Sequence, residues 1–142
     1  MVYVFDSSFV GALIIPDEKN PKVDKIQMSI GENEEIFAPQ LLWYEIANIF
    51  KNLIRRKRYT YDEVLEFFPL LAAVSLTIDY ETGIAYSEKL LRLCNDYNIS
   101  AYDAAYLELA KRRKAVLCTL DEGLEAAAKK YGATTLKIVD RG

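Results

Sequence analysis

A chain of 142 residues has room for one hydrophobic core and too little for two comfortable domains, so residues 1–142 read as a single domain without a linker. With 51% hydrophobic and 27% charged residues and a net charge of −3, the composition excludes a disordered or membrane-embedded chain and counts mildly against tight nucleic-acid binding. Histidine is absent, which excludes Ser-His-Asp and Cys-His nucleophilic catalysis, imidazole acid–base chemistry and histidine-liganded metals; carboxylates with hard cations are the leading chemistry left.

The first apolar run, VYVF at 2–5, reads as a buried strand and ends on Asp6, ahead of a helical segment containing FVGALI. Asn20 before Pro21 marks a helix start with proline at the first helical position. EIFA at 35–38 is the second strand, and Pro39 is expected to open the next helix as Pro21 does. On that helix Glu45 groups with Asn48, Asn52, Arg55 and Arg56, away from Leu42, Trp43, Ile46, Phe50 and Leu53, so periodicity assigns it to a solvated face.

Thr60 with Glu63 fits a capping box, and AVSLTI at 73–78 is the third expected strand. Ser100 with Asp103 fits the same capping pattern. Asp103 shares a helical arc with Tyr106, Leu107 and Ala110, so it is either the end of a capping box or an acid that needs a partner or metal. AVLCTL at 115–120 is the fourth strand, followed by Asp121 and the helical EGLEAAAKKYG; TLKIV at 135–139 is the fifth. Strands alternating with helices predict an α/β sandwich around a largely parallel sheet.

In such a sheet, acids placed just after parallel strands emerge at the carboxyl edge, where ligands bind. Asp6 and Asp121 both stand in that relation, although each alone also reads as a helix N-cap. RRKR at 55–58 and KRRK at 111–114 hold eight of the eighteen Lys and Arg residues; they read as helix-dipole partners and solvated surface, with phosphate contact as the alternative. Tyr59, Tyr61, Phe67 and Phe68 pack either a core or a dimer face. Cys94 and Cys118 have no CxxC spacing and sit among apolar neighbours, as buried thiols do. No apolar run reaches the length of a membrane span and no signal-type segment opens the chain, so a cytoplasmic location is expected.

Four segments in order, YVFDSSFV around Asp6, PQLLWYEIANIF around Glu45, ISAYDAAYLELAKRR around Asp103 and AVLCTLDEGLEAAAKKYG around Asp121, resemble the PIN domain in its small VapC-type form. The resemblance implies a three-layer α/β/α sandwich with a mainly parallel five-stranded sheet. It also implies that Asp6, Glu45, Asp103 and Asp121 form one acidic pocket for Mg²⁺ or Mn²⁺, which promotes Glu45 from the surface. Ser8 matches a position that orients the first Asp, and Ser100 the Ser/Thr three residues before the third acid.

The implied activity is a metal-dependent endoribonuclease that leaves a 5′-phosphate and a 3′-hydroxyl, as the toxin of a VapBC-type pair. An RNA substrate, a VapB-type antitoxin and a homodimer follow from the same resemblance. Housekeeping RNA processing and a non-catalytic RNA- or protein-binding scaffold are the alternatives. A haloacid-dehalogenase reading would want a second Asp where Ser8 stands, and neither GxGxxG nor GxxxxGK[ST] is present.

Overall fold

The computed structural model of the chain describes residues 1–136 and 138. Its central strand, β1 (Val2–Phe5), pairs in parallel with β2 (Glu35–Pro39) on one side and β4 (Val116–Cys118) on the other. Beyond them lie β3 (Thr77–Asp79) and β5 (Thr134–Thr135), giving the all-parallel order β3-β2-β1-β4-β5 among the described residues.

Alternation along β1 divides the core. Tyr3 and Phe5 face the layer formed by α1 (Ser7–Ile14), α2 (Pro21–Ser29), α3 (Leu41–Arg55), α4 (Tyr61–Leu65) and α5 (Phe67–Ala72). Val4, with Phe37 and Leu117, faces α6 (Ile84–Tyr97), α7 (Ala101–Arg113) and α8 (Glu122–Tyr131). Because a strand's side chains point alternately to either face, one buried four-residue strand supplies both cores. The result is the expected three-layer α/β/α sandwich with a five-stranded parallel sheet.

Several helix starts are as the sequence predicts. Asn20 accepts from the Lys22 N–H, Thr60 and Glu63 form a reciprocal capping box, and Ser100 Oγ accepts from the Asp103 N–H at 3.1 Å. Three expectations are corrected. Pro39 does not open a helix: it closes β2 opposite Asp79, and α3 starts two residues later with Gln40 in helical dihedrals before it. The third strand is displaced, since α5 runs to Ala72 and the chain turns through Ser75 at φ 57° before Thr77. Ala73 lacks the branched side chain that favours a strand, and Val74 reaches the core from the turn instead. Among the described residues the fifth strand is Thr134–Thr135, while Lys137 and Val139 of the predicted segment lie outside them.

The four aromatic residues after α3 divide. Phe67 is buried with Tyr59 edge-on against it, whereas Tyr61 and Phe68 are exposed and line an apolar groove of about 530 Å³ with Phe50, Ile54 and Leu65. The KRRK cluster is exposed, as solvated surface is, yet three of its members have partners: Lys111 bonds the Gly132 carbonyl, and Arg112 and Arg113 hold the buried Asp79. In the other cluster Arg58 pairs with Asp17 and Glu18. No helix among the described residues is long and apolar enough to cross a membrane.

Candidate active site

Asp6 leaves β1 at the carboxyl edge of the sheet and caps α1 there, its Oδ1 accepting from the Phe9 N–H at 2.9 Å. The Ser8 hydroxyl donates to the same oxygen at 2.7 Å, and the Thr119 hydroxyl donates to Oδ2. These two hydroxyls also fasten the neighbouring loop: Ser8 Oγ accepts from the Leu120 N–H at 2.9 Å and Thr119 Oγ1 from the Asp121 N–H at 3.0 Å. The end of β1 and the end of β4 are thereby locked together, and the Asp6 carboxylate has little rotational freedom. Asp6 is 4% exposed; burial pushes its carboxyl up to about 6 against the three hydrogen bonds, with Asp121's charge adding to the rise.

Asp121 caps α8 through the Leu124 N–H at 2.9 Å. Both strand-end aspartates are therefore N-caps and also members of the acidic edge; the two readings of the sequence coexist. Glu45, half-buried on α3, accepts from the Tyr106 hydroxyl of α7 at 2.5 Å. Burial raises the Glu45 carboxyl above its ordinary value, opposed by that hydrogen bond and reinforced by the charges of Asp6 and Asp103. Asp103 is raised by burial and by Asp121. The Tyr106 hydroxyl is pushed up by burial and by its bond to Glu45, so it stays a donor.

Asp6, Glu45, Asp103 and Asp121 thus form a closed circuit of mutual repulsion: Asp6 feels Asp121, Glu45 feels Asp6 and Asp103, and Asp103 feels Asp121. Among the described residues, however, no three acidic, cysteine or histidine side chains stand close enough to grip one ion directly. The donor set suits a hard cation that retains much of its water, since all four groups are carboxylates and Mg²⁺ is commonly held by one or two of these directly. Ser8 holds Asp6 itself, whereas Ser100 acts on the backbone of Asp103 and fixes the start of α7.

Tyr106 and Thr119 are the residues that the sequence reading missed. A tyrosine three residues after Asp103, on a buried arc, carries a hydroxyl that must find a partner, and that requirement was the available signal. Thr119, at the last apolar stretch before Asp121, gives no comparable sign. Neither cysteine is paired; burial and Asp6 push the Cys118 thiol up to about 12, which leaves it inert.

The chain is 29% identical over 140 residues to Ribonuclease VapC3 of Pyrobaculum aerophilum, covering 94% of this chain and 97% of that protein. The crystal structure of PAE2754, also from Pyrobaculum aerophilum, superposes with a TM-score of 0.69 at 25% identity, over 95% of this chain and 92% of that one. FitAcB from Neisseria gonorrhoeae shares the fold at a TM-score of 0.64 and 19% identity, over 96% and 97% of the two chains. The model of the PIN domain matches residues 3–130, nearly the whole length that carries the sheet and the four acids, and the chain belongs to the PIN domain family.

Proposed function

We propose that this protein is a metal-dependent endoribonuclease of the VapC toxin type, acting in the cytoplasm on RNA phosphodiester bonds, with Asp6, Glu45, Asp103 and Asp121 as its catalytic and metal-holding acids. The observation that carries the reading is the acidic edge itself: three of its carboxyls are raised by burial and by one another, an arrangement that is unfavourable until positive charge arrives. Asp6, Glu45, Asp103 and Asp121 would hold a Mg²⁺ or Mn²⁺ ion there, which would supply that charge and the means to activate water at neutral pH in a chain without histidine.

The protein's own contribution is placement. Asp6 spends three of its roughly four acceptor positions on Phe9, Ser8 and Thr119, so what remains points in one direction. Tyr106 fixes Glu45 across the gap between α3 and α7. Tyr106→Phe should therefore leave the fold intact and weaken Mn²⁺ binding roughly tenfold or more, as loss of a partner behind a metal ligand does. Titration calorimetry of the variant checks this, and unchanged affinity would show that Glu45 needs no such support.

The relative named Ribonuclease VapC3 supports the reaction, and the toxin assignment, with a VapB-type antitoxin as partner, follows the resemblance of the four acidic segments to the VapC-type form. The groove between α3 and α4 suits a small protein partner: its floor is apolar, and Lys51 and Arg55 at its rim would meet acidic side chains. A homodimer belongs to the same reading, with Ile84 and Leu91, two turns apart on α6 and 89% and 68% exposed, as apolar surface available for it.

The test is cleavage of a labelled structured RNA by the purified chain and by Asp103→Asn, with Mg²⁺, Mn²⁺ or EDTA. Cleavage by wild type with either metal, lost on chelation and reduced at least a hundredfold in the variant, is the expected result. Cleavage that survives EDTA would rule out the metal-dependent mechanism.

A further inference from the structure

The first turns of α3 and α7 meet beside the acidic edge. Glu45 receives its hydrogen bond from Tyr106; about one turn back along each helix, Gln40 and Leu41 share a cavity with Tyr102. That cavity has a volume of about 230 Å³, below the roughly 300–1,000 Å³ of sites for drug-sized ligands, which suits a single ring system. Leu41, Leu90 and Ala105 give it aliphatic walls, and Tyr86 and Tyr102 give it aromatic ones. Gln40 and Glu81 supply polar groups that can donate and accept or accept only, respectively. Asp79, which also reaches it, is already neutralised by Arg112 and Arg113.

Two aromatic residues near this place are exposed. Tyr102 immediately precedes Asp103 and is 62% exposed, and Tyr44 immediately precedes Glu45 and is 71% exposed. Gln40, which lines the cavity, and Tyr44 are four apart, so Tyr44 lies one helical turn beyond Gln40 on the same side of α3. Two tyrosines displayed to water, each one residue from an acid of the site, contribute little to the core. They are what an unpaired base needs, because every base has a face that stacks on an aromatic ring whatever its sequence.

We propose that the cavity between α3 and α7 receives one unpaired base of the RNA substrate, stacked on Tyr102, with Tyr44 as the stacking surface for a neighbouring base. The backbone between those bases then passes Glu45 and Asp103. Gln40 and Glu81 face the edge of the bound base and bias which base is accepted. This rests on the ribonuclease reading above and adds to it a substrate requirement: single-stranded RNA at the cut, with a base present at one defined position.

The experiment uses the full chain with Mn²⁺ and a labelled RNA that wild type cleaves, in intact form and with one nucleotide at a time replaced by an abasic one. Wild type should lose about tenfold in kcat/KM at one abasic position beside the cut, mainly through KM, and Tyr102→Ala should lose about tenfold on the intact RNA. The two losses should not multiply when combined, and Tyr102→Trp should recover part of what Tyr102→Ala loses. Wild-type rates for Tyr102→Ala, or losses that multiply, would overturn the proposal while leaving the ribonuclease standing. A change of oligomeric state in Tyr102→Ala by size-exclusion chromatography would also overturn it, in favour of a second copy of the chain covering this face. Wild type that cleaves no RNA would instead sink the ribonuclease reading, and this one with it.

Discussion

Asp6→Asn is expected to abolish cleavage and, at the same time, to make the metal-free chain more stable near pH 7. The first effect follows from removing the charge of the most rigidly held acid of the edge. The second follows from the position of its titration. The buried carboxyl titrates at about 6, above its ordinary value of 3.8, so between those values the folded state binds more protons than the unfolded one. Stability is then fully present below about pH 4 and is lost as pH rises through about 6, by roughly 3 kcal/mol from this group.

Asparagine has no charge to bury and can keep the geometry. Its carbonyl can accept from the Phe9 N–H and the Ser8 hydroxyl, and its amide can donate to Thr119 Oγ1 if that hydroxyl turns its own hydrogen toward Ser8, 3.5 Å away. Thermal unfolding in EDTA should show wild type losing roughly 5–10 °C between about pH 4.5 and 7.5 and the variant losing far less. Adding millimolar Mn²⁺ at the higher pH should restore wild type and leave the variant unmoved, because only a cation that binds the folded state stabilises it. A variant that melts below metal-free wild type near pH 7.5 would mean that the Asp6 carboxylate is a net support of the fold, and the argument for a charge-starved site would fail.

The features legible in the sequence are those decided within a few residues. β1 and Asp6, Asn20 with Pro21, the Thr60 capping box, and β4 with Asp121 each combine a short apolar run or helix with its own terminus. Glu45 was not legible from periodicity because it sits at the border of the buried arc of α3, and what gives it a role is Tyr106, sixty-one residues away on α7. The resemblance to a known family supplied Glu45 where the helical wheel could not. KRRK at 111–114 was legible as an exposed helix end but not in its partners. A run of cations at a helix end reads as solvated, and only the arrival of Asp79 from β3 and the inward turn of Glu108 give two of these arginines buried carboxylates to pair with. AVSLTI failed because hydrophobicity is common to a helix end, a turn and a strand, and the left-handed Ser75 separates them only in three dimensions.

Arg112→Met is expected to cost about 3 kcal/mol of stability. Arg112 makes a two-pronged pair with Asp79, at 2.6 and 3.0 Å, and reaches Glu108 one turn back on α7 at 2.7 and 3.2 Å. Both carboxylates are buried, Glu108 to 2% exposure and Asp79 to 8%, so removing their shared cation leaves two charges in a poorly solvated place. The value lies at the low end for a broken buried pair because Lys89 stays 3.3 Å from Glu108 and Arg113 3.3 Å from Asp79. Arg112→Lys should recover only part of the loss, since one ammonium cannot span the two carboxylates as the planar guanidinium does. Arg112 also holds the Asp79 carboxyl below its usual range, so this part of wild-type stability is present above the unfolded value near 3.8 and is lost as pH falls further. Urea unfolding at neutral pH measures the effect as a lower midpoint at an unchanged slope. A loss under about 1 kcal/mol would mean that Lys89 and Arg113 neutralise Glu108 and Asp79 by themselves, and that the guanidinium is bound by the pair without holding it together.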